Sequence, residues 1–242
     1  MLIIIKNNYD EISDEGAKIV AGIIRKKPDS VLGFATGSTP IGLYKELIRM
    51  HKEEGLDFSK VTTFNLDEYV GLPPSHNQSY HYFMWKNLFN HINVNKSNVY
   101  IPMGMADDIN DHCEWYERKI QQHCGIDLQI LGLGANGHIA FNEPGSSLGS
   151  RTRIKTLDEK TIKDNSRFFN NNIEDTPKFA ITMGVGTIME AKKLLLLASG
   201  IKKANAIKAT IRGPITAMLP ATIVQMHQFT TILIDREAAS KL

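Results

Sequence analysis

A histidine and a carboxylate lie on one glycine-rich turn in the stretch LGLGANGHIAFNEPG, residues 131–145. The apolar run at its start predicts a β-strand, so both side chains follow the end of that strand. His138 is suited to proton transfer, because histidine both accepts and donates protons near neutral pH. Glu143 can orient or polarise the imidazole, and Asn136 can hydrogen-bond the imidazole or a substrate. The stretch predicts acid–base chemistry. The alternative is that His138 is a turn residue whose hydrogen bonds are only structural.

The same stretch also fits the G-x-G-x-x-G fingerprint of dinucleotide sites through three glycines, Gly132, Gly134 and Gly137. Asp158 even falls about the expected distance downstream. A dinucleotide turn, however, needs an uninterrupted helix after its last glycine, and Pro144 with Gly145 breaks this segment within two turns. Asn136, His138 and Glu143 have no role in that motif. We therefore expect no dinucleotide at this turn.

A hydroxyl-rich turn, TGSTP, follows the apolar run 31–35. Pro40 is suited to a first helical position and Thr39 to the cap before it. A helix that begins there predicts a phosphate or other anion site, made of Thr36, Gly37, Ser38 and Thr39. The turn lacks the lysine of a nucleotide-triphosphate loop. The alternative is that Ser38 and Thr39 act only as helix caps.

A carboxylate, Asp67, directly follows the apolar run 61–66. Reduced solvation at the end of a buried strand raises the pKa of a carboxyl group and makes it a usable base. Asp67 is therefore the candidate general base. Two alternatives stay open: Asp67 caps a turn, or the neighbouring Glu68 is the base.

Cations follow two further segments of the chain. Lys202 and Lys203 come after the apolar run 194–199, and Arg167 lies in the polar segment NSRFF. Lysine supplies a point charge to an anion, and arginine can clamp one with two parallel hydrogen bonds. We expect one of these lysines, together with Arg167, to complete the anion site. The alternative is that they are surface charges that face solvent.

The elements that must position these residues alternate between strand and helix patterns. The first helix carries Ile12, Ile19, Val20, Ile23 and Ile24, and further helices are predicted at 40–53, 79–91, 107–123, 186–193 and 202–211. Strands are predicted at 2–5, 31–35, 61–66, 127–133, 179–183, 194–199 and 230–235.

Most of these strands are continuously apolar, which suits strands covered on both faces. The prediction is an α/β fold with a single doubly wound, mainly parallel sheet and helices on both faces. In such sheets ligands bind beyond the carboxyl ends of the strands, where the candidate residues fall. The polar stretch of about 150–177 is predicted to be a lid insertion.

Composition narrows the class of protein. The chain has 242 residues and a formal net charge of +2 with both signs interspersed, which predicts one domain over 1–242 and no nucleic-acid partner. It has no apolar run of about 18 residues, and its start, MLIIIKNNYDE, lacks the pattern of a secretory signal. We expect no membrane partner and a cytoplasmic location.

Two cysteines, Cys113 and Cys124, lie eleven residues apart in a helical pattern. About 16 Å along a helix axis is too far for a disulfide, so both are predicted to be reduced. His112 and His123 precede them, but the same separation prevents the four side chains from converging on zinc. We expect no metal site there.

The chain strongly resembles the glucosamine-6-phosphate deaminase family across essentially its full length. The resemblance is carried by ATGSTP (35–40), FNLDEYVGL (64–72), NQSYHYFM (77–84), GANGHIAFNEPGSSL (134–148), SRTRIKTL (150–157), NSRFF (165–169) and ITMGVGTI (181–188). It implies conversion of glucosamine 6-phosphate and water to fructose 6-phosphate and ammonium, by an aldose-to-ketose isomerisation with loss of the amino group. It also implies that neither a metal nor an organic cofactor is needed.

The resemblance assigns roles to the candidate residues. His138 matches the residue that assists opening of the pyranose ring, supported by those matching Glu143 and Asn136. Asp67 matches the base that removes the C2 proton and returns it at C1. The residues of the family's phosphate site match Gly37, Ser38, Thr39, Arg167 and Lys203.

The chain departs from the family's pattern in two places. Many members carry aspartate where this chain has Asn136, and asparagine cannot bear charge. Longer, hexameric members bind N-acetylglucosamine 6-phosphate at an allosteric site whose residues match Ser146, Arg153, Lys155 and Thr156. This sequence ends at Leu242 without the segment that contributes a tyrosine to that site. We therefore expect a constitutive enzyme that is a monomer or a low-order homo-oligomer.

Two other functions share parts of this pattern. A 6-phosphogluconolactonase has the fold and a sugar-phosphate site, but ester hydrolysis needs no enolisation base such as Asp67. A non-catalytic sugar-phosphate sensor is expected to carry a DNA-binding helix-turn-helix and a decayed catalytic pair. Release of ammonium distinguishes the deaminase from both.

Overall fold

A computed structural model describes residues 1–157, 162–163, 166, 169, 172–174 and 176–242. Two residues named from the sequence, Asp158 and Arg167, lie outside this part of the chain, as does much of the predicted lid. The described residues form ten strands: β1 (Leu2–Lys6), β2 (Val31–Phe34), β3 (Thr62–Asn65), β4 (Asp67–Tyr69), β5 (Val99–Tyr100), β6 (Leu128–Gly132), β7 (Arg153–Thr156), β8 (Phe179–Thr182), β9 (Leu194–Ala198) and β10 (Thr230–Asp235).

Seven of these strands form a central sheet in the order β1-β10-β9-β6-β2-β3-β5, and each neighbouring pair is parallel. Every residue of β2, β3 and β9 is buried. Successive side chains of a strand point to opposite faces, so both faces of this sheet are covered. The prediction of a mainly parallel, doubly wound α/β sheet is confirmed.

Six α-helices connect and cover the strands over the described residues: α1 (Tyr9–Lys26), α2 (Ile41–Glu54), α3 (Tyr80–Asn87), α4 (Ile109–Gln122), α5 (Val185–Met189) and α6 (Ala204–Arg212). Three of them have side-chain caps: Asn8 for α1, Ser79 for α3 and Asp108 for α4. Each cap accepts a hydrogen bond from an otherwise unpaired N–H of the first turn. None of these helices is both long and apolar enough to span a membrane.

A second, antiparallel sheet of three strands in the order β4-β8-β7 was not predicted. The apolar run 179–183 was expected to join the parallel sheet, but as β8 it lies at the centre of this small one. A short apolar run does not by itself reveal its pairing partner. The first part of the predicted lid over 150–177 contains a strand of this small sheet, β7 (Arg153–Thr156).

Helix ends also differ from the sequence prediction. The helix expected over 186–193 ends at Met189, after five residues. Helix α3 ends at Asn87 and is followed by a 3₁₀ turn, Phe89–His91. Likewise, Ile201–Lys203 is a 3₁₀ turn that leads into α6. Such ends are decided by tertiary packing as much as by local propensity.

Both cysteines are free thiols, as predicted; Cys113 is buried and Cys124 exposed. His112 Nε2 accepts a hydrogen bond from Met103 N at 2.8 Å, so this nitrogen has a structural partner. Across the described ranges, no group of three or more His, Cys, Asp or Glu side chains is arranged to hold a metal ion.

Candidate active site

Four neighbouring strands gather the candidate residues at one edge of the central sheet. Strands β9, β6, β2 and β3 are adjacent and parallel, so the segments that follow them leave the sheet at the same edge. The chain order reverses between β6 and β2, which is where open α/β sheets bind ligands. The TGSTP turn follows β2, and the stretch that carries His138 follows β6.

The TGSTP turn is exposed at Gly37 and Ser38, and its side chains do not cap the next helix. Helix α2 begins at Ile41 with Pro40 as its N-cap residue and no side-chain hydrogen bond there. The expectation that Thr39 is the cap and Pro40 the first helical residue is therefore wrong. Gly37 has φ +96°, a conformation that side-chain-bearing residues rarely adopt.

Tyr9, which the sequence analysis missed, holds the backbone of this turn. Its hydroxyl lies 3.1 Å from Ser38 O and 3.0 Å from Thr39 O, and it accepts a hydrogen bond from Gly42 N at 2.7 Å. Tyr9 begins α1, some 30 residues away in the sequence. Nothing in the local pattern indicates this contact, because it depends on how α1 packs against α2.

Asp67 is the first residue of β4 and is only 6% exposed. Burial raises its pKa to about 8, and the nearby Glu68 charge adds to the rise. Desolvation and a like charge both disfavour the ionised carboxylate. Asp67 lies in a strand, so the alternative that it caps a turn is wrong.

Glu68 is engaged in backbone hydrogen bonds. Its carboxylate accepts from Tyr69 N and Tyr80 N at 2.9 Å and from His81 N at 2.8 Å. Burial raises the pKa of Glu68 to about 7, and these three donors oppose the rise. A carboxylate already bound to three donors at the N-terminus of α3 is poorly placed to act as the base instead of Asp67.

His138 and Glu143 form a pair after β6. His138 Nδ1 lies 3.5 Å from Glu143 Oε2, and their side chains are 34% and 7% exposed. The imidazole ring packs on Gly134, where a Cβ atom would lie 2.4 Å from the ring. A glycine is therefore required at 134 because the His138 ring lies against its backbone. In a dinucleotide motif the glycine would instead make room for the cofactor.

Asn136 contacts Glu143 and not the imidazole ring. Its Nδ2 donates to Glu143 Oε2 at 2.7 Å, and its Oδ1 accepts from the backbone N–H of His138 at 3.3 Å. Asn136 and the ring of His138 therefore face the same carboxylate oxygen. An asparagine suits this position, because it donates to a carboxylate that an aspartate would repel.

Strand β8 connects the segment of Asp67 with the segment of His138. Thr182 is the register partner of Asp67, and its Oγ1 accepts from Phe141 N at 3.1 Å. Met183 N donates to Leu66 O at 2.7 Å, and Met183 O accepts from Asn142 Nδ2 at 2.9 Å. The antiparallel sheet thus holds both segments in one arrangement.

Lys203 ends the 3₁₀ turn after β9 and is half-buried. Burial lowers its pKa, and over the described residues no acidic side chain pairs with it. The preceding turn is held by Asp235, which accepts from Gly200 N and from the Ser199 hydroxyl. Arg167, the other predicted cation, lies outside the described residues.

The residues that match the family's allosteric site do not share one face. Arg153 and Lys155 alternate with Thr156 along β7, so Thr156 points to the opposite side. Arg153 Nη1 donates to Arg151 O, and burial lowers the pKa of Arg153. Ser146 Oγ is buried and has no hydrogen-bond partner within the described part of the chain.

A buried carboxyl, a histidine–carboxylate pair and the TGSTP turn lie at the carboxyl edge of a parallel α/β sheet, the place where enzymes of this fold class bind small ligands. The sequence profile of the family of glucosamine-6-phosphate isomerases and 6-phosphogluconolactonases matches residues 7–233. The chain belongs to this family.

Among curated relatives, the glucosamine-6-phosphate deaminase of Thermoanaerobacter sp. (strain X514) is 57% identical over 99% of this chain and 94% of its own length. That of Clostridium perfringens (strain 13 / Type A) is 53% identical over 100% of both chains. A solved structure described as a monomeric glucosamine-6-phosphate deaminase matches with a TM-score of 0.97 at 46% identity, covering 100% of both chains. A 6-phosphogluconolactonase from Trypanosoma brucei shares the fold, with a TM-score of 0.80 at 20% identity over 100% of this chain and 98% of that one.

Proposed function

We propose that the protein is a glucosamine-6-phosphate deaminase that acts in amino-sugar catabolism, converting glucosamine 6-phosphate and water to fructose 6-phosphate and ammonium. The observation that carries the proposal is that two candidate proton-transfer groups lie at the same edge of the sheet. One is the buried Asp67, and the other is the His138–Glu143 pair. The named deaminases that match the whole chain support the same activity.

The reaction needs two proton shuttles, because the C2 proton becomes acidic only when an open chain presents a carbonyl or imine beside it. His138 moves the proton that opens the pyranose ring, and Glu143, whose Oε2 lies 3.5 Å from Nδ1, orients the imidazole. Asn136 holds the Glu143 carboxylate by its amide N–H. Ring opening therefore precedes the step at carbon.

Asp67 then removes the C2 proton as a carboxylate and returns it to C1, which turns the aldose into a ketimine. Water adds at C2, and the C–N bond breaks to release ammonium and the ketose. A carboxyl whose pKa is raised to about 8 is a stronger base in its ionised form than an exposed one. Burial of Asp67 thus suits it to attack a weak carbon acid.

In this proposal the phosphate group binds at the turn of Gly37, Ser38 and Thr39 and to Lys203. Half-buried Lys203 has no acidic partner in the described structure, and a phosphate would supply the missing countercharge. Arg167 completes this site in our proposal, as the family's pattern implies. These contacts anchor the substrate away from the reacting carbons.

We further propose a constitutive, cytoplasmic monomer. The matching structure described as a monomeric deaminase supports the oligomeric state. Thr156 faces away from Arg153 and Lys155, which argues against a complete allosteric site in one chain. Light scattering at assay concentration tests the monomer, and sigmoidal kinetics relieved by N-acetylglucosamine 6-phosphate would overturn constitutive activity.

A coupled assay for ammonium and fructose 6-phosphate tests the reaction. We expect both products in equal amounts from glucosamine 6-phosphate, without added metal or cofactor. Hydrolysis of 6-phosphogluconolactone without ammonium release from the amino sugar would indicate the lactonase of the same family instead. Binding of the sugar phosphate with no turnover of either substrate would indicate a sensor.

A further inference from the structure

We propose that Glu68 is a positioning residue that holds the strand of Asp67 against the N-terminus of α3 and thereby fixes Asp67 relative to the TGSTP turn. The proposal deepens the proposed function and rests on it, because it takes Asp67 as the base. Glu68 does not touch the substrate in this proposal. It acts through the backbone of β4 and through Tyr80.

The first step is the contact between Glu68 and α3. Tyr80 and His81 are the first two residues of α3, and both donate their backbone N–H groups to the Glu68 carboxylate. These N–H groups have no partner within the helix. Glu68 is 2% exposed, so water does not replace the contact. Strand β4 and helix α3 are therefore joined next to Asp67.

The second step runs from α3 to the anion turn. The Tyr80 hydroxyl lies near the Thr36 side chain at the start of the turn, and it donates a hydrogen bond to Tyr69 Oη at 3.4 Å. Its ring is stacked on Phe141, two residues before Glu143, with centroids 5.9 Å apart. Glu68 thus connects the base with the anion turn and with the segment of the histidine pair.

The negative charge of Glu68 affects the pKa of Asp67, which a purely structural role of the side chain would not do. The titratable groups that interact electrostatically with Asp67 in the described structure are Glu68 and four buried phenols, Tyr44, Tyr69, Tyr80 and Tyr116. Burial raises the pKa of each phenol above its ordinary value, so all four are neutral near neutral pH. Removing the Glu68 charge therefore lowers the pKa of Asp67.

Glu68→Gln and Glu68→Asp separate the charge from the reach of the side chain. We expect Glu68→Gln to lower kcat about 10- to 100-fold through displacement of the base. We also expect it to shift the acid limb of kcat/KM to lower pH. Glu68→Asp keeps the charge but shortens the side chain, so kcat falls while the acid limb stays in place. Glu114→Gln, at an exposed position on α4, is the matched control and should change neither.

Tyr80→Phe tests the link to the anion turn. It keeps the ring and the N–H donated to Glu68 but removes the hydroxyl that lies near Thr36 and donates to Tyr69. Loss of one neutral hydrogen bond near the turn should raise KM about 2- to 10-fold with kcat little changed. An unchanged KM would contradict the connection through Tyr80.

Intrinsic fluorescence tests the contact between β4 and α3 without a measurement of turnover. The chain has 2 tryptophans, and one of them, Trp85, lies on α3, where its indole N–H donates to His81 Nε2. We expect Glu68→Gln, but not Glu114→Gln, to change the emission spectrum. A folded Glu68→Gln protein with wild-type kcat, acid limb and emission would overturn the proposal. A wild-type protein that released no ammonium would refute the deaminase function, while the fluorescence result would still decide whether Glu68 holds α3.

Discussion

Thr182 lies directly opposite Asp67 in the β4–β8 pair, and its hydroxyl accepts the backbone N–H of Phe141 at 3.1 Å. Thr182 thus contacts the segment that leads to Glu143. The same residue lies across from the candidate base, Asp67. The relative position of the two candidate proton-transfer groups therefore depends on β8, which carries neither of them.

Thr182→Val should weaken both stability and catalysis. Valine has the shape of threonine but leaves the Phe141 N–H buried without an acceptor, which costs about 1–3 kcal/mol in the free energy of unfolding. The displaced segment should also lower kcat. Urea denaturation and ammonium release measure the two effects.

The control for this change is Thr63→Val. Thr63 is 1% exposed, and its Oγ1 has no hydrogen-bond partner in the described structure. Its replacement by valine should be neutral or stabilising, because it removes a buried polar group that is not satisfied. Equal losses in the two variants would contradict the specific role of Thr182.

Asp67→Asn removes the candidate base with little change in shape. We expect kcat to fall about 10²- to 10⁴-fold, roughly 3 to 5 kcal/mol of barrier, because an amide cannot accept the C2 proton. Calorimetry with fructose 6-phosphate should still detect binding. Exchange of the C2 proton with solvent deuterium should be lost as well, whereas Asp107→Asn, at an exposed site, should leave turnover intact. Unchanged turnover would remove Asp67 from the role of base.

The raised pKa of Asp67 predicts how activity and stability depend on pH. The carboxylate form is the base, so kcat/KM should rise with pH and level off above about pH 8. The folded state holds this proton more tightly than the unfolded state, whose aspartate titrates near 3.8. Stability should therefore fall as pH rises from about 4 to 8.

Thermal melts at several pH values check this effect. Asp67→Asn cannot ionise at this position, so its melting temperature should decline less than that of the wild type between pH 5 and pH 8. A parallel decline in the two proteins would show that Asp67 is ionised in the folded state throughout this range.

Gly134→Ala should displace the imidazole of His138. The added Cβ would lie 2.4 Å from the ring, and relief of such overlap costs about 1–3 kcal/mol. We expect a lower kcat because the imidazole loses its place beside Glu143. Gly132→Ala is the matched control, because a Cβ there meets nothing within 4 Å. The hypothesis fails if both alanine variants keep wild-type turnover.

Lys203→Ala should weaken substrate binding more than turnover. The phosphate contact persists in the ground and transition states, so KM should rise about 10- to 100-fold while kcat changes little. Lys202→Ala removes the exposed neighbouring lysine and should leave both constants unchanged. A fall in kcat at constant KM would place Lys203 at the reacting carbons instead.

The sequence alone predicted six of the seven strands of the parallel sheet, all except β5, and the residues that follow them. Apolar runs such as 194–199 and 230–235 are buried on both sides of the sheet, so their composition is sufficient to predict a strand. Parallel strands leave the sheet at one edge, so the strand pattern by itself groups the residues that follow them. The motifs of the resemblance fall on the same positions.

The antiparallel sheet, the use of Glu68 and the brace by Tyr9 were decided only by the tertiary structure. Asp67 pairs with Thr182 and Tyr9 contacts Thr39 across long stretches of chain, and no local pattern records such a partner. Asp67 and Glu68 are adjacent carboxylates that look equivalent in sequence. Their neighbours in space separate them: Glu68 receives three backbone N–H groups, while desolvation and the Glu68 charge raise the pKa of Asp67.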